Sequence, residues 1–193
     1  MTSVALKNLN IIRGRDSLLE YHQINESYDP ATDFLCVDIE TYQKVESKYG
    51  GLVPHLSNIK TIQVLVFSIN NGEFVQKDLF VYVPTDAPAE NYREFIQNVL
   101  KGKRIVGHNI LFDLLHIFYN AKMKIDIDEY DDTKFYDTKL FWLKYFMLFN
   151  KPEEKIYSWN NNLLASLKDL CYIFGVGELD KTVRGKIYKS KDV

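Results

Sequence analysis

Cysteine is scarce in this chain: Cys36 and Cys171 are the only two in 193 residues. That count allows no disulfide framework, and neither cysteine stands at a metal-ligand spacing from a partner, which argues against zinc. Both read as buried thiols in a reducing compartment. Long apolar runs are also missing. No stretch is long enough to cross a membrane as a helix, and the N-terminus shows no signal-peptide pattern, so no membrane partner is expected. An excess of either charge is absent as well: 24 Lys+Arg against 26 Asp+Glu give a net charge of −2. The chain therefore carries no global nucleic-acid signature, although acids gathered at a site would mask basic surface elsewhere. Internal repeats and low-complexity segments are lacking.

What is present is hydrophobic and aromatic material, 46% and 14% of the residues. That is enough to bury one sizeable α/β core, and residues 1–193 read as a single domain. An N-terminal strand and helix lead into the strand that carries Asp38. Two alternating strands meet at Asn70-Asn71-Gly72, a hairpin signal. A polar loop over about 42–57 precedes them. Pro84 closes the second of these strands, and Asp86-Ala87-Pro88 starts a helix that runs through Leu100 and stops at Gly102. A strand at Ile105, a helix over Leu111 to Asn120, an acidic loop over 126–132 and two more helices follow.

Two acidic patches carry the chemistry. In Phe34-Leu35-Cys36-Val37-Asp38-Ile39-Glu40-Thr41 an apolar, β-branched run ends in Asp-x-Glu. Side chains alternate along a strand, so Asp38 and Glu40 share a face. Two carboxylates side by side at the end of a buried strand repel unless a positive charge lies between them. Alone, an Asp-x-Glu more often caps a strand in solvent. The second patch is Gly107-His108-Asn109-Ile110-Leu111-Phe112-Asp113. Here Gly107 and Asn109 suit a turn, Asn109 an N-cap, and Asp113 the first or second turn of the helix. Carboxylates brought together at strand and helix ends form the all-oxygen cage that Mg²⁺ or Mn²⁺ takes.

With both patches in view, the chain resembles the 3′–5′ exonuclease family with four metal-binding acids, which includes the proofreading domains of DNA polymerases and ribonuclease D. Asn58-Ile59-Lys60-Thr61-Ile62-Gln63-Val64, Asp137-Thr138-Lys139-Leu140 and Leu164-Ala165-Ser166-Leu167-Lys168-Asp169-Leu170 look like further segments of that family. The resemblance implies a ribonuclease H-like α/β fold, a mixed β-sheet flanked by helices. It implies hydrolysis of single-stranded or frayed DNA 3′ ends with two Mg²⁺ or Mn²⁺ ions. Asp38 would bridge both ions, Glu40 would hold the first and Asp113 the second. Thr41, Asn109 and Phe112 would lie against the terminal nucleotide, although Phe112 also reads as core. Asp137 reads as a helix-start residue, not a ligand.

The third motif of the tyrosine subclass, Tyr-x-x-x-Asp, is matched at the C-terminus by Tyr188 and Asp192. Asp192 would complete the first metal site and Tyr188 would orient the attacking water. Tyr82 to Asp86 fits the same short pattern, and a ligand so near a chain end would fray unless substrate or metal held it. The competing reading places the true third motif on a longer or separate chain. Lys101, Lys103 and Arg104, and Lys181, Arg184, Lys186, Lys189 and Lys191, are basic clusters that could hold phosphates or simply solvate the surface. The run Phe141 to Phe149 is apolar on nearly every helical face, suiting either core packing or docking on a polymerase domain or chain. A cytoplasmic setting, in a bacterium or a phage-infected cell, goes with such an enzyme. Two other readings stay open: a non-catalytic module of the same fold that binds nucleic acid or a partner, and the exonuclease piece of a split DNA polymerase.

Overall fold

Alternation in the Asp38 segment produces strand β2, Asp33–Gln43, in which every second side chain from Asp33 to Thr41 is buried. The computed structural model describes residues 8–44, 52–124, 127–149 and 165–175. It divides into two compact units, residues 1–136 and 137–193.

The first unit is built on a six-stranded mixed sheet in the order β1-β4-β3-β2-β5-β6. Its strands are β1 (Leu9–Arg13), β2, β3 (Ser57–Asn70), β4 (Glu73–Val83), β5 (Arg104–Gly107) and β6 (Lys134–Asp137). The hairpin falls where the sequence predicts it. Asn71 and Gly72 turn with φ of 52° and 81°, the paired positive values of a two-residue connection that matches strand twist. Strands β2, β3 and β4 are antiparallel, whereas β1 runs parallel to β4 and β5 parallel to β2. The mixed α/β, ribonuclease H-like architecture expected from the sequence is the one observed.

Helices α2 (Ala89–Phe95, extended by a π turn over Ile96–Leu100) and α3 (Ile110–Asn120) cover one sheet face. Leu35, Val37, Ile39, Ile62, Val64 and Phe80 from the strands meet Phe95, Ile96, Val99, Ile110 and Ile117 from the helices. The opening helix is split into a 3₁₀ turn, Ser17–Leu19, and a six-residue α1, His22–Ser27. Neither piece has a side-chain cap at its start. A helix this short is held by packing, here through the fully buried Leu18 and Ile24.

Two boundaries differ from the sequence reading. Strand β2 does not give way to a loop at Tyr42, because its ladder with β3 continues to Gln43 opposite Ser57. The stretch after the acidic loop is not all helix either, since Lys134–Asp137 forms the edge strand β6, with the Lys134 N–H donating to Lys103 O at 3.0 Å. In the second unit, α4 spans Thr138–Phe149 and α5 Leu167–Ile173. Asp137 Oδ1 accepts from the N–H groups of Lys139 and Leu140 at 2.8 and 3.3 Å, which makes it the helix-start residue the sequence suggested. Trp142 is buried and packs edge-to-face on Phe174, while Leu140 and Phe141 are exposed.

Candidate active site

Parallel pairing between β2 and β5 is short. It joins Leu35 to Ile105 and Cys36 to Val106 and then stops, because β5 ends at Gly107. Beyond Cys36, the described residues continue the β2–β5 ladder no further, while the β3 side stays paired. Asp38 and Glu40 sit on this stretch, on the sheet face opposite the buried Val37 and Ile39, with Asp38 exposed and Glu40 half-buried.

The chain leaving β5 turns at once into α3. Asn109 takes the left-handed conformation, φ 61° and ψ 43°, which asparagine tolerates better than most residues. It occupies the N-cap position as the sequence suggested, but its side chain makes no capping hydrogen bond. Gly107 is needed for a different reason: a Cβ there would lie 2.9 Å from Ile110 Cβ. The close approach seats α3 against β2. Asp113, only 4% exposed, then accepts a hydrogen bond at Oδ1 from the Ile39 N–H at 3.0 Å. A helical carboxylate from the second patch therefore lies on the backbone between the two acids of the first.

Electrostatics agree with that placement. The Cys36 thiol is pushed up to about 11, chiefly by burial and then by the charges of Asp38 and Asp113. Further along α3, His116 is buried, with Nδ1 2.8 Å from Phe112 O and Nε2 3.1 Å from Ser57 Oγ. Burial holds its pKa below the usual histidine value. Phe112 packs against the core with its ring centroid 4.3 Å from that of His116, so it is a packing residue at the site. Thr41 is buried past a register shift in which β3 contributes the extra residue Lys60.

Three of the proposed ligands, Asp38, Glu40 and Asp113, are thus gathered at one edge of β2. Tyr188, Asp192 and the basic cluster of the tail lie outside the described residues. Among the described residues, no three His, Cys, Asp or Glu side chains already converge on one point. The donor set is nonetheless all oxygen, which fits a hard divalent cation and not zinc. Of the basic cluster before the second patch, Lys101 is exposed while Lys103 and Arg104 are drawn into the fold. Lys103 Nζ donates to Asn98 O at 3.2 Å, and the Arg104 guanidinium stacks 4.5 Å above the Phe34 ring.

Sequence reasoning missed Gln63. It stands directly opposite Asp38 in the β2–β3 register. Its amide has the Thr61 hydroxyl at one end and two Asp38 oxygens at the other, so the NH₂ belongs on the Asp38 side. In that orientation it donates to Asp38 O at 2.9 Å and to Asp38 Oδ2 at 3.1 Å. The available signal was the polar side of an alternating stretch, Thr61 and Gln63 on either side of Ile62, which places both on one face of β3.

The sheet order, with α2 and α3 on one face, gives the chain an α/β, ribonuclease H-like fold. No family model matches it, and no curated protein matches it at a significant level. Solved structures do match. A nuclease solved in its apo form superposes with a TM-score of 0.57 and 13% identity, covering 96% of this chain and 69% of that one. NrnC of Brucella melitensis with bound Mg²⁺ gives 0.51 and 14%, covering 97% and 69%. The same protein has been solved bound to pGG. Pop2p of S. pombe, in a form with Mg²⁺ and Mn²⁺ bound, gives 0.50 and 14%, covering 88% and 83%. At these identities the likeness is one of fold. Among the described residues no helix is long and apolar enough to cross a membrane.

Proposed function

We propose that this chain is a metal-dependent 3′–5′ exonuclease that trims single-stranded or frayed DNA ends in the manner of a proofreading nuclease. The observation that carries the reading is the Asp113 carboxylate seated on the Ile39 N–H, between Asp38 and Glu40. Acids from two distant segments would otherwise have no reason to share one strand edge. Mg²⁺ or Mn²⁺ would be held by Asp38, Glu40 and Asp113, with Asp192 as the fourth ligand. Proteins of the same fold have been solved with these ions, NrnC with Mg²⁺ and Pop2p with Mg²⁺ and Mn²⁺, and NrnC also with pGG.

When bound, a pair of such ions activates water and stabilises the departing 3′ oxygen. The protein's share is geometric. Strand β2 presents Asp38 and Glu40 on one face, and the Ile39 N–H fixes Asp113 beside them. Asn109, exposed at the head of α3, would contact the terminal nucleotide. Tyr188 would orient the water. A polymerase domain or chain is the partner the family resemblance points to, and the exposed Leu140 and Phe141 of α4 offer a surface for one.

The test is a 5′-labelled single-stranded oligonucleotide, in DNA and RNA versions, incubated with Mg²⁺ or Mn²⁺. The intact chain should give a ladder shortening from the 3′ end. Asp38→Ala and Asp113→Ala should abolish it, and truncation before Tyr188 should do the same if Tyr188 and Asp192 form the third motif. A ladder on RNA alone would move the substrate class. No ladder with either ion would favour a non-catalytic binding module, the reading supported by the lack of three converged acids among the described residues.

A further inference from the structure

Asp38 is exposed on its strand, and an exposed carboxylate rotates about its Cβ–Cγ bond unless something holds it. Gln63 supplies one such hold. One NH₂ group reaches both the backbone oxygen of Asp38, at 2.9 Å, and its Oδ2, at 3.1 Å. The backbone contact ties the amide to the strand, so the side-chain contact fixes the carboxylate relative to the sheet. The other end of the amide accepts from the Thr61 hydroxyl, which prevents it from turning over. Thr61 stands opposite Glu40 and Gln63 opposite Asp38, so adjacent same-face positions of β3 back the two acids of β2.

We infer that Gln63 is a positioning residue that holds the Asp38 carboxylate, through Oδ2, in the orientation in which it would meet a divalent cation. The inference rests on the exonuclease reading for the cation's presence, but it concerns metal capture and not turnover. A carboxylate pre-set in this way loses little rotational freedom on binding. Partners of this kind behind metal ligands typically contribute about 10- to 100-fold in affinity.

The experiment is Mn²⁺ binding to the full chain, followed by electron paramagnetic resonance, for wild type, Asp38→Asn, Gln63→Met, Gln63→His and Thr61→Val. Gln63→Met keeps length and removes the donor, and should weaken Mn²⁺ binding about 10- to 100-fold. Gln63→His keeps an N–H at similar reach and should recover most of the loss. Thr61→Val, which only releases the amide, should give a smaller loss in the same direction. Where oligonucleotide is cleaved, Gln63→Met should raise the Mn²⁺ needed for half-maximal rate and leave KM for the oligonucleotide unchanged. Thermal melts without metal separate these effects from a general loss of structure. Wild-type binding that Asp38→Asn abolishes and Gln63→Met leaves intact would overturn this inference alone. Wild type without Mn²⁺ binding would overturn the exonuclease reading, and this inference with it.

Discussion

Adding one methyl group at Gly107 should disturb the candidate site without touching any acid. A Cβ at 107 would lie 2.9 Å from both Cβ and Cγ1 of Ile110 and 3.0 Å from its Cδ1. Carbon atoms settle at about 3.5–4.0 Å, so the overlap is about 0.5–1 Å. Ile110 cannot rotate clear, since its Cβ is fixed to the backbone and the side chain is 5% exposed in the core. The first turn of α3 must therefore move away from β5. Overpacking of this size costs about 1–3 kcal/mol, or about 2–12 °C in melting temperature for a chain of this length. The shift should reach Asp113 and lengthen its 3.0 Å bond from the Ile39 N–H. Urea unfolding gives the stability change, and amide hydrogen exchange at Ile39 reports the site. Gly72→Ala is the control: at φ 81° it strains the hairpin, yet its Cβ meets nothing within 4 Å. The reasoning is refuted if Gly107→Ala unfolds at the wild-type midpoint, or if it accelerates Ile39 exchange no more than Gly72→Ala does.

Other expectations concern titrating groups. Burial alone would raise the Asp33 pKa, but the Asp29 N–H and Lys77, whose Nζ lies 2.6 Å away, outweigh it and hold the carboxyl low. Its stabilisation is present above the unfolded value of about 4 and disappears as pH falls through the folded one. Asp33→Asn should cost about 1–3 kcal/mol at pH 7 and flatten the acid limb of a urea-midpoint profile. His116 shifts the opposite way in charge: burial favours its neutral form, so the unfolded chain binds more protons. Stability should fall as pH drops below about 6.5, and His116→Gln should reduce that slope between pH 5 and 7. In a Cys171→Ser background, Cys36 should react slowly with a disulfide reagent at pH 8. Asp38→Asn should speed it less than about tenfold, because burial and not charge is the main cause of the raised pKa; an unchanged rate would refute the charge contribution.

Much of this arrangement is legible in the chain itself. Alternation around Asp38 determines a strand with both acids on one face, since a period of two leaves no other choice. Asn71-Gly72 determines the hairpin, because both positions need positive φ. Asn109 determines where α3 begins. Tertiary structure decided the rest. Strand β2 runs on to Gln43 because β3 goes on pairing with it, and pairing length is a property of two segments together. Strand β6 has only four residues and takes its place from the sheet edge it joins. The bond from the Ile39 N–H to Asp113, and the contact of Gln63 with Asp38, join residues whose separation in sequence says nothing about distance. Both exist because β5 stops at Gly107 and the chain turns into α3 against β2, while β3 holds the other edge of β2 in register.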